Sequence, residues 1–200
     1  MELQERINRI AASLFQLKRR LEQRGFIFRE PDEVLPGPLP DLDDALNRIQ
    51  QQVGTMPLAL ELFYRKIGSV NFLGDHPNWR GCEYPDGLVV YPVRAALDEL
   101  DDYFSNPYPE AFGTDLRVPI APDYYHKENV SGGMWYGIAI PDSCEDPPLL
   151  EERHQTTFIN YLEICIRWAG FPGLELCTNQ HTWPVKELTR GLFVGESWND

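Results

Sequence analysis

The chain has 200 residues, 42% of them hydrophobic and 12% aromatic, with a mean hydropathy of −0.39, which is enough apolar material for one core of ordinary domain size. A net charge of −13 repels phosphate backbones and argues against general nucleic-acid binding; it also keeps a protein in solution and favours encounter with a basic partner. No apolar run approaches the roughly 20 residues a bilayer crossing needs, and the opening Met1-Glu2-Leu3-Gln4-Glu5 has no apolar stretch of the secretory kind.

Residues 1–25 read as an amphipathic N-terminal helix. Leu3, Ile7, Ile10, Leu14, Leu17 and Leu21 follow the alternating four-and-three spacing of a coiled-coil seam, and Gly25 supplies a stop. The segment carries six Lys/Arg against three Asp/Glu, so a whole-chain −13 and a local +3 leave −16 for the remainder. Packing of the stripe on its own domain is the favoured reading, homodimerisation through the Leu3–Leu21 helix the second, and membrane contact a distant third.

Residues 26–40 form a proline-rich linker with Pro31, Pro36, Pro38 and Pro40, too proline-dense for a helix or a central strand. The body then spans 41–200. Asp41, with Asp44 three residues on, is expected to cap a helix whose stripe is Leu42, Leu46, Ile49 and Val53. A second helix opens at Pro57, runs through Leu60, Phe63, Tyr64 and Ile67 and stops at Gly68. Val70 to Leu73 and Leu88 to Tyr91 read as strands around the turn Pro85-Asp86-Gly87. Pro92 opens a helix with Val93, Ala96, Leu97, Leu100 and Phe104 inward. A Pro/Gly loop over 106–116, strands at Arg117 to Ala121 and Trp135 to Ile140, an acidic loop from Pro141 to Pro148, and helices over Thr157 to Ala169 and Val185 to Leu192 complete the chain. Helices first, strands in the middle and helices last predict an α+β fold, with an antiparallel sheet of four to six strands backed by helices.

Chemistry is thin along this path. His76, His126, His154 and His181 are scattered, with no metal-binding spacing; Glu151-x-x-His154 is half a di-iron motif and reads as a solvated helix start. The four cysteines, Cys82, Cys144, Cys165 and Cys177, lie far apart without a CxxC pair, which predicts reduced thiols and a cytoplasmic protein. Cys165 sits on an apolar helical stripe and reads as inert, and no GxSxG elbow is present. Ser131-Gly132-Gly133 lacks the phosphate-loop pattern and reads as a turn. The polar run beside it makes His126 and Asn129 a possible ligand pocket. No cofactor, metal or catalytic set is expected.

Partner binding is the better prospect. Asp98, Glu99, Asp101 and Asp102 line one helix face, and Asp142, Glu145 and Asp146 sit in the acidic loop; joined, they would make one acidic surface. Trp79 is the candidate aromatic anchor, although Trp79, Trp135 and Tyr136 stand where burial is the commoner outcome.

Several segments resemble the SUKH superfamily together and in order. Met56-Pro57-Leu58-Ala59-Leu60-Glu61-Leu62-Phe63-Tyr64, leading through Gly68 into Val70-Asn71-Phe72-Leu73-Gly74, is similar to its proline-started helix and first strand, with Trp79 at the position of the family's tryptophan. Leu88-Val89-Val90-Tyr91-Pro92 resembles the next strand, and Thr157 to Leu162 with Trp168-Ala169-Gly170-Phe171-Pro172-Gly173 resembles the C-terminal helix and glycine turn of bacterial members. The likeness covers residues 41 to 192. It implies an α+β fold without catalytic residues. Bacterial members act largely as immunity proteins that bind and neutralise toxin domains, and fungal members regulate cell-wall synthesis. The resemblance therefore implies an immunity-type binding protein, which the acidic balance suits if the toxin domain is basic and the cytoplasm its place, with a regulatory scaffold as the alternative; an enzyme with a site near His126, suggested by the polar run alone, is a distant third. The N-terminal helix and linker are extra to the family's common core.

Overall fold

The computed structural model describes residues 2–105, 116–177 and 181–193. The aliphatic stripe of the N-terminal segment forms helix α1, Leu3–Gln23, and Ile7, Ile10, Leu14, Leu17 and Leu21 are fully buried. Their cover comes from the same chain: helix α3 (Leu58–Lys66), helix α6 (Phe158–Arg167) and the short helix α7 (Val185–Thr189). Each such burial contributes about 1.5–3 kcal/mol. An ion pair of 2.8 Å from Arg6 to Glu163 and a bond to Asn160 fix the helix on α6. A dimer through the Leu3–Leu21 face would require α1 to leave this seat.

The proline-rich stretch holds a two-residue strand at Ile27–Phe28 and a 3₁₀ turn at Pro31–Glu33, is otherwise irregular, and drops Val34 into the core. It also crosses the end of α3 closely. Gly68 adopts φ 84° there, and a Cβ on it would stand 2.1 Å from the Gly37 carbonyl oxygen. Only glycine meets both demands. Between these elements, helix α2 spans Leu42–Val53 and buries Leu42, Leu46 and Ile49 as expected. Asp41 does not cap it: the carboxylate meets Arg94 instead, an ion pair that displaces the local bond the sequence suggested.

Among the described residues there are six short strands: β1 (Ile27–Phe28), β2 (Val70–Asn71), β3 (Gly74–Asp75), β4 (Val89–Val90), β5 (Arg117–Ala121) and β6 (Tyr136–Ala139); β2, β4, β5 and β6 stand where strands were expected, whereas β1 lies in the expected linker and β3 outside any expected strand. Their organisation differs from expectation. In place of one sheet of four to six strands there are three two-stranded antiparallel ribbons, β1–β3, β2–β4 and β5–β6. Among the described residues, one backbone bond, Tyr91 N–H to the Ile120 oxygen at 2.7 Å, joins the second ribbon to the third. The physical reason is proline. Pro92 turns the chain into helix α4 (Val93–Ser105) directly after β4, and Pro119 has no N–H to give inside β5, where the register shifts before Ala121. The fold class is therefore α+β, with ribbons where a sheet was expected.

Helix α4 buries Val93, Ala96, Leu97 and Leu100, but Phe104, expected inward, is 53% exposed on the last turn. The expected Pro/Gly loop lies largely outside the described residues. Helix α6 is capped by Thr157 and buries Cys165 among its aliphatic side chains. The expected set of four reduced thiols is corrected: Cys82 and Cys177 are joined in a disulfide with their Cα atoms 5.5 Å apart, while Cys144 and Cys165 are free. The bond ties the 3₁₀ turn Pro172–Cys177 to the loop before β4. Among the described residues, no helix is long and apolar enough to cross a membrane.

Candidate functional site

Each of the two acidic runs flagged in the sequence has a bond to α2 or to the residues just after it. Asp41 pairs with Arg94 at one end, while Arg48 and Gln52 both hold Asp101, so α2 and α4 run side by side in the same direction. Three residues beyond Gln52, the Thr55 carbonyl accepts from the Asp142 N–H at 3.2 Å. At most about 11 Å of backbone therefore separates the anchor of one run from that of the other. Asp98 and Asp102 are exposed, and burial with repulsion from Asp102 raises the Glu99 carboxyl. The Gln52 hydrogen bond, with the Arg48 charge, lowers that of Asp101.

Several of these acids have structural partners. Asp146 accepts from the Ile159 N–H at 2.9 Å and so satisfies the open end of α6; the Glu145 carbonyl does the same for Ala59 in α3. Asp142 closes a local turn onto Cys144, and the Glu145 side chain is exposed.

Trp79 is not a free-standing anchor. It is 9% exposed, stacks on His76 with ring centroids 4.2 Å apart, and meets Trp183 at 4.9 Å. His76 is fixed in turn: Nδ1 accepts from the Asn78 N–H, so Nε2 carries the proton and donates to the Arg24 carbonyl at 2.9 Å. Tyr136 is buried on β6.

His126 and Asn129 both lie exposed around the short helix α5 (Tyr124–Lys127), with His126 Nδ1 against the Asp123 carboxylate that caps this helix. The residue between them is the informative one. Lys127, read in the sequence as part of a polar surface run, is buried, and its ammonium reaches Asp86 Oδ1 at 2.5 Å and the Tyr136 ring at 5.1 Å. Asp86 adopts φ 58° in the expected Pro-Asp-Gly turn, so the turn residue doubles as an internal counter-ion. Burial pushes the neighbouring Tyr161 hydroxyl and Cys165 thiol well above their ordinary ranges, which leaves the thiol inert, as its stripe position suggested.

No helix starts at Glu151-x-x-His154. Glu151 pairs with Arg117, and His154 is clasped between the carboxylates of Glu152 (2.5 Å) and Glu175 (2.9 Å). Among the described residues, no three or more His, Cys, Asp or Glu side chains converge as a metal site.

A site that the sequence reading missed lies beside the aromatic cluster. The β1–β3 ribbon, the Trp79–Trp183 wall and the loop before β4 enclose a cleft of about 610 Å³. Asp75, Glu83 and Glu128 line it, facing a single guanidinium, Arg29. Arg29 donates to the Lys127 carbonyl at 3.2 Å, and among the described residues none of the three carboxylates forms an ion pair. Burial first, then repulsion from Asp86 and Asp75, raises the Glu128 carboxyl in spite of Arg29. Trp79 is the one lining residue that the sequence offers as a candidate contact. The others come from stretches scattered between residues 27 and 183 and share no motif.

Comparison of the chain with protein-family models, with curated proteins and with solved structures gives no match.

Proposed function

We propose that this chain is a non-catalytic protein-binding module that captures and neutralises a basic partner domain, in the manner of the immunity proteins its sequence resembles. The observation that supports this reading best is the distribution of charge. The −16 of residues 26–200 includes two acidic runs, each tied to α2 or the residues just after it, and a cleft that sets three carboxylates against one arginine. Such a surface accelerates encounter with a basic protein and rejects acidic ones. The residues best placed for contact are the exposed Asp98, Asp102 and Glu145 of the two acidic runs, with Asp75, Glu83 and Glu128 in the cleft.

A regulatory scaffold would use the N-terminal helix for docking, but the apolar face of α1 is covered by α3, α6 and α7, so no specific observation favours that alternative. Co-expression with the product of the adjacent reading frame tests the proposal. Restored growth together with a stoichiometric complex is expected. A toxic neighbour left unneutralised overturns the reading.

A further inference from the structure

We propose that the cleft between the β1–β3 ribbon and the Trp79–Trp183 wall is a receptor for an arginine side chain projecting from the partner protein. The inference deepens the partner-binding reading and rests on it.

The geometry selects the ligand class. At about 610 Å³ the cleft is within the roughly 300–1,000 Å³ of pockets that hold discrete ligands, so it accommodates a long side chain with its flanking backbone. Its lining includes Trp79 and Trp183, each packed on other rings and 9% exposed, and indole is the ring that attracts cations best. Its charged lining is three carboxylates against one guanidinium that is bound to a backbone carbonyl. Elsewhere on the surface, carboxylates such as Asp43, Glu61 and Glu187 have arginines of the same chain beside them. In the cleft, Arg29 is the one cation set against three carboxylates, and among the described residues none of the three forms an ion pair. Ile27, 66% exposed at its rim, offers apolar surface to an aliphatic stem. A planar guanidinium stacks on an indole face and forks to two carboxylates, which the compact, strongly hydrated ammonium of lysine does less well.

The test uses the full chain with indole ¹⁵N labelling, titrated with acetyl-Gly-Arg-Gly-amide and with the neutral isostere acetyl-Gly-citrulline-Gly-amide. The arginine peptide is expected to shift the Trp79 and Trp183 indole signals saturably, and the citrulline peptide to shift neither. Glu83→Gln with Glu128→Gln should weaken the arginine response at least about tenfold while the indole dispersion of the free protein is retained. Equal responses to the two peptides, no response to either, or an undiminished response in the double variant overturns the assignment. The two readings separate cleanly. Arginine binding in a chain that neutralises no partner removes the function and leaves the receptor. A neutralising complex whose affinity is unchanged by the double variant removes the receptor and leaves the function.

Discussion

The ammonium of Lys127 sits 2.5 Å from Asp86 Oδ1 with both side chains sealed from solvent, tying the turn before β4 to helix α5. A buried pair of this kind is weak evidence of net stabilisation, yet breaking it on one side strands a charge. Lys127→Met is therefore expected to lower unfolding free energy by about 3–5 kcal/mol. Combining it with Asp86→Asn, which keeps a residue tolerant of positive φ, should recover at least about half of that loss. Denaturant midpoints check both. A single Lys127→Met variant within about 1 kcal/mol of the parent would show that the pair does not hold the turn to α5.

His154 supplies the pH dependence. Burial alone would lower its pKa, but the Glu152 hydrogen bond and charge, with help from Glu175, raise it above the ordinary 6.5. A raised folded-state value means that the clasp is fully present below the unfolded value and is lost as pH rises through the folded one. The stability difference between the parent and His154→Gln should be largest at about pH 5–6 and shrink steadily above about pH 7. Thermal melts across that range read it directly. A difference that grows with pH would reverse the assignment.

The cysteines separate into three kinds. With native protein, an exposed-thiol reagent should modify Cys144 alone, and after unfolding without reductant Cys144 and Cys165 together. Replacing Cys82 and Cys177 by serine releases a loop of 95 residues and should cost about 2–5 kcal/mol. Four reactive thiols in the unreduced, unfolded chain would contradict the Cys82–Cys177 bond.

The α1 stripe distinguishes core from interface. Leu14→Ala removes a fully buried side chain and should cost about 2–5 kcal/mol, whereas Phe15→Ala, at 52% exposure on the next position, should stay within about 0.5 kcal/mol. Equilibrium unfolding of both at two protein concentrations is the measurement. A concentration-dependent midpoint for the parent would indicate that the stripe works between copies instead.

These outcomes trace which parts of the molecule its sequence reveals. Helices α1, α2, α4 and α6 are legible because an apolar stripe at helical spacing is written over many residues, as in Ile7 to Leu21, and because Gly68 and Pro57 punctuate α3. The ribbons are legible as strands but not as a set. Two-residue pairings such as Val70–Val90 are decided by the prolines and tertiary contacts around them. Long-range partnerships escape altogether: nothing local in Lys127 names Asp86 as its counter-ion 41 positions away, and nothing in Cys82 names Cys177. The cleft fails for the same reason, since Asp75, Glu128 and Trp183 become neighbours only through the fold.

The central claim is that an acidic surface of this chain receives a basic protein. The affinity of the neutralised complex, measured by titration at 50 and 300 mM salt, addresses it most directly. Electrostatic capture predicts a loss of at least about tenfold between the two, carried mainly by slower association. An affinity indifferent to salt would contradict it.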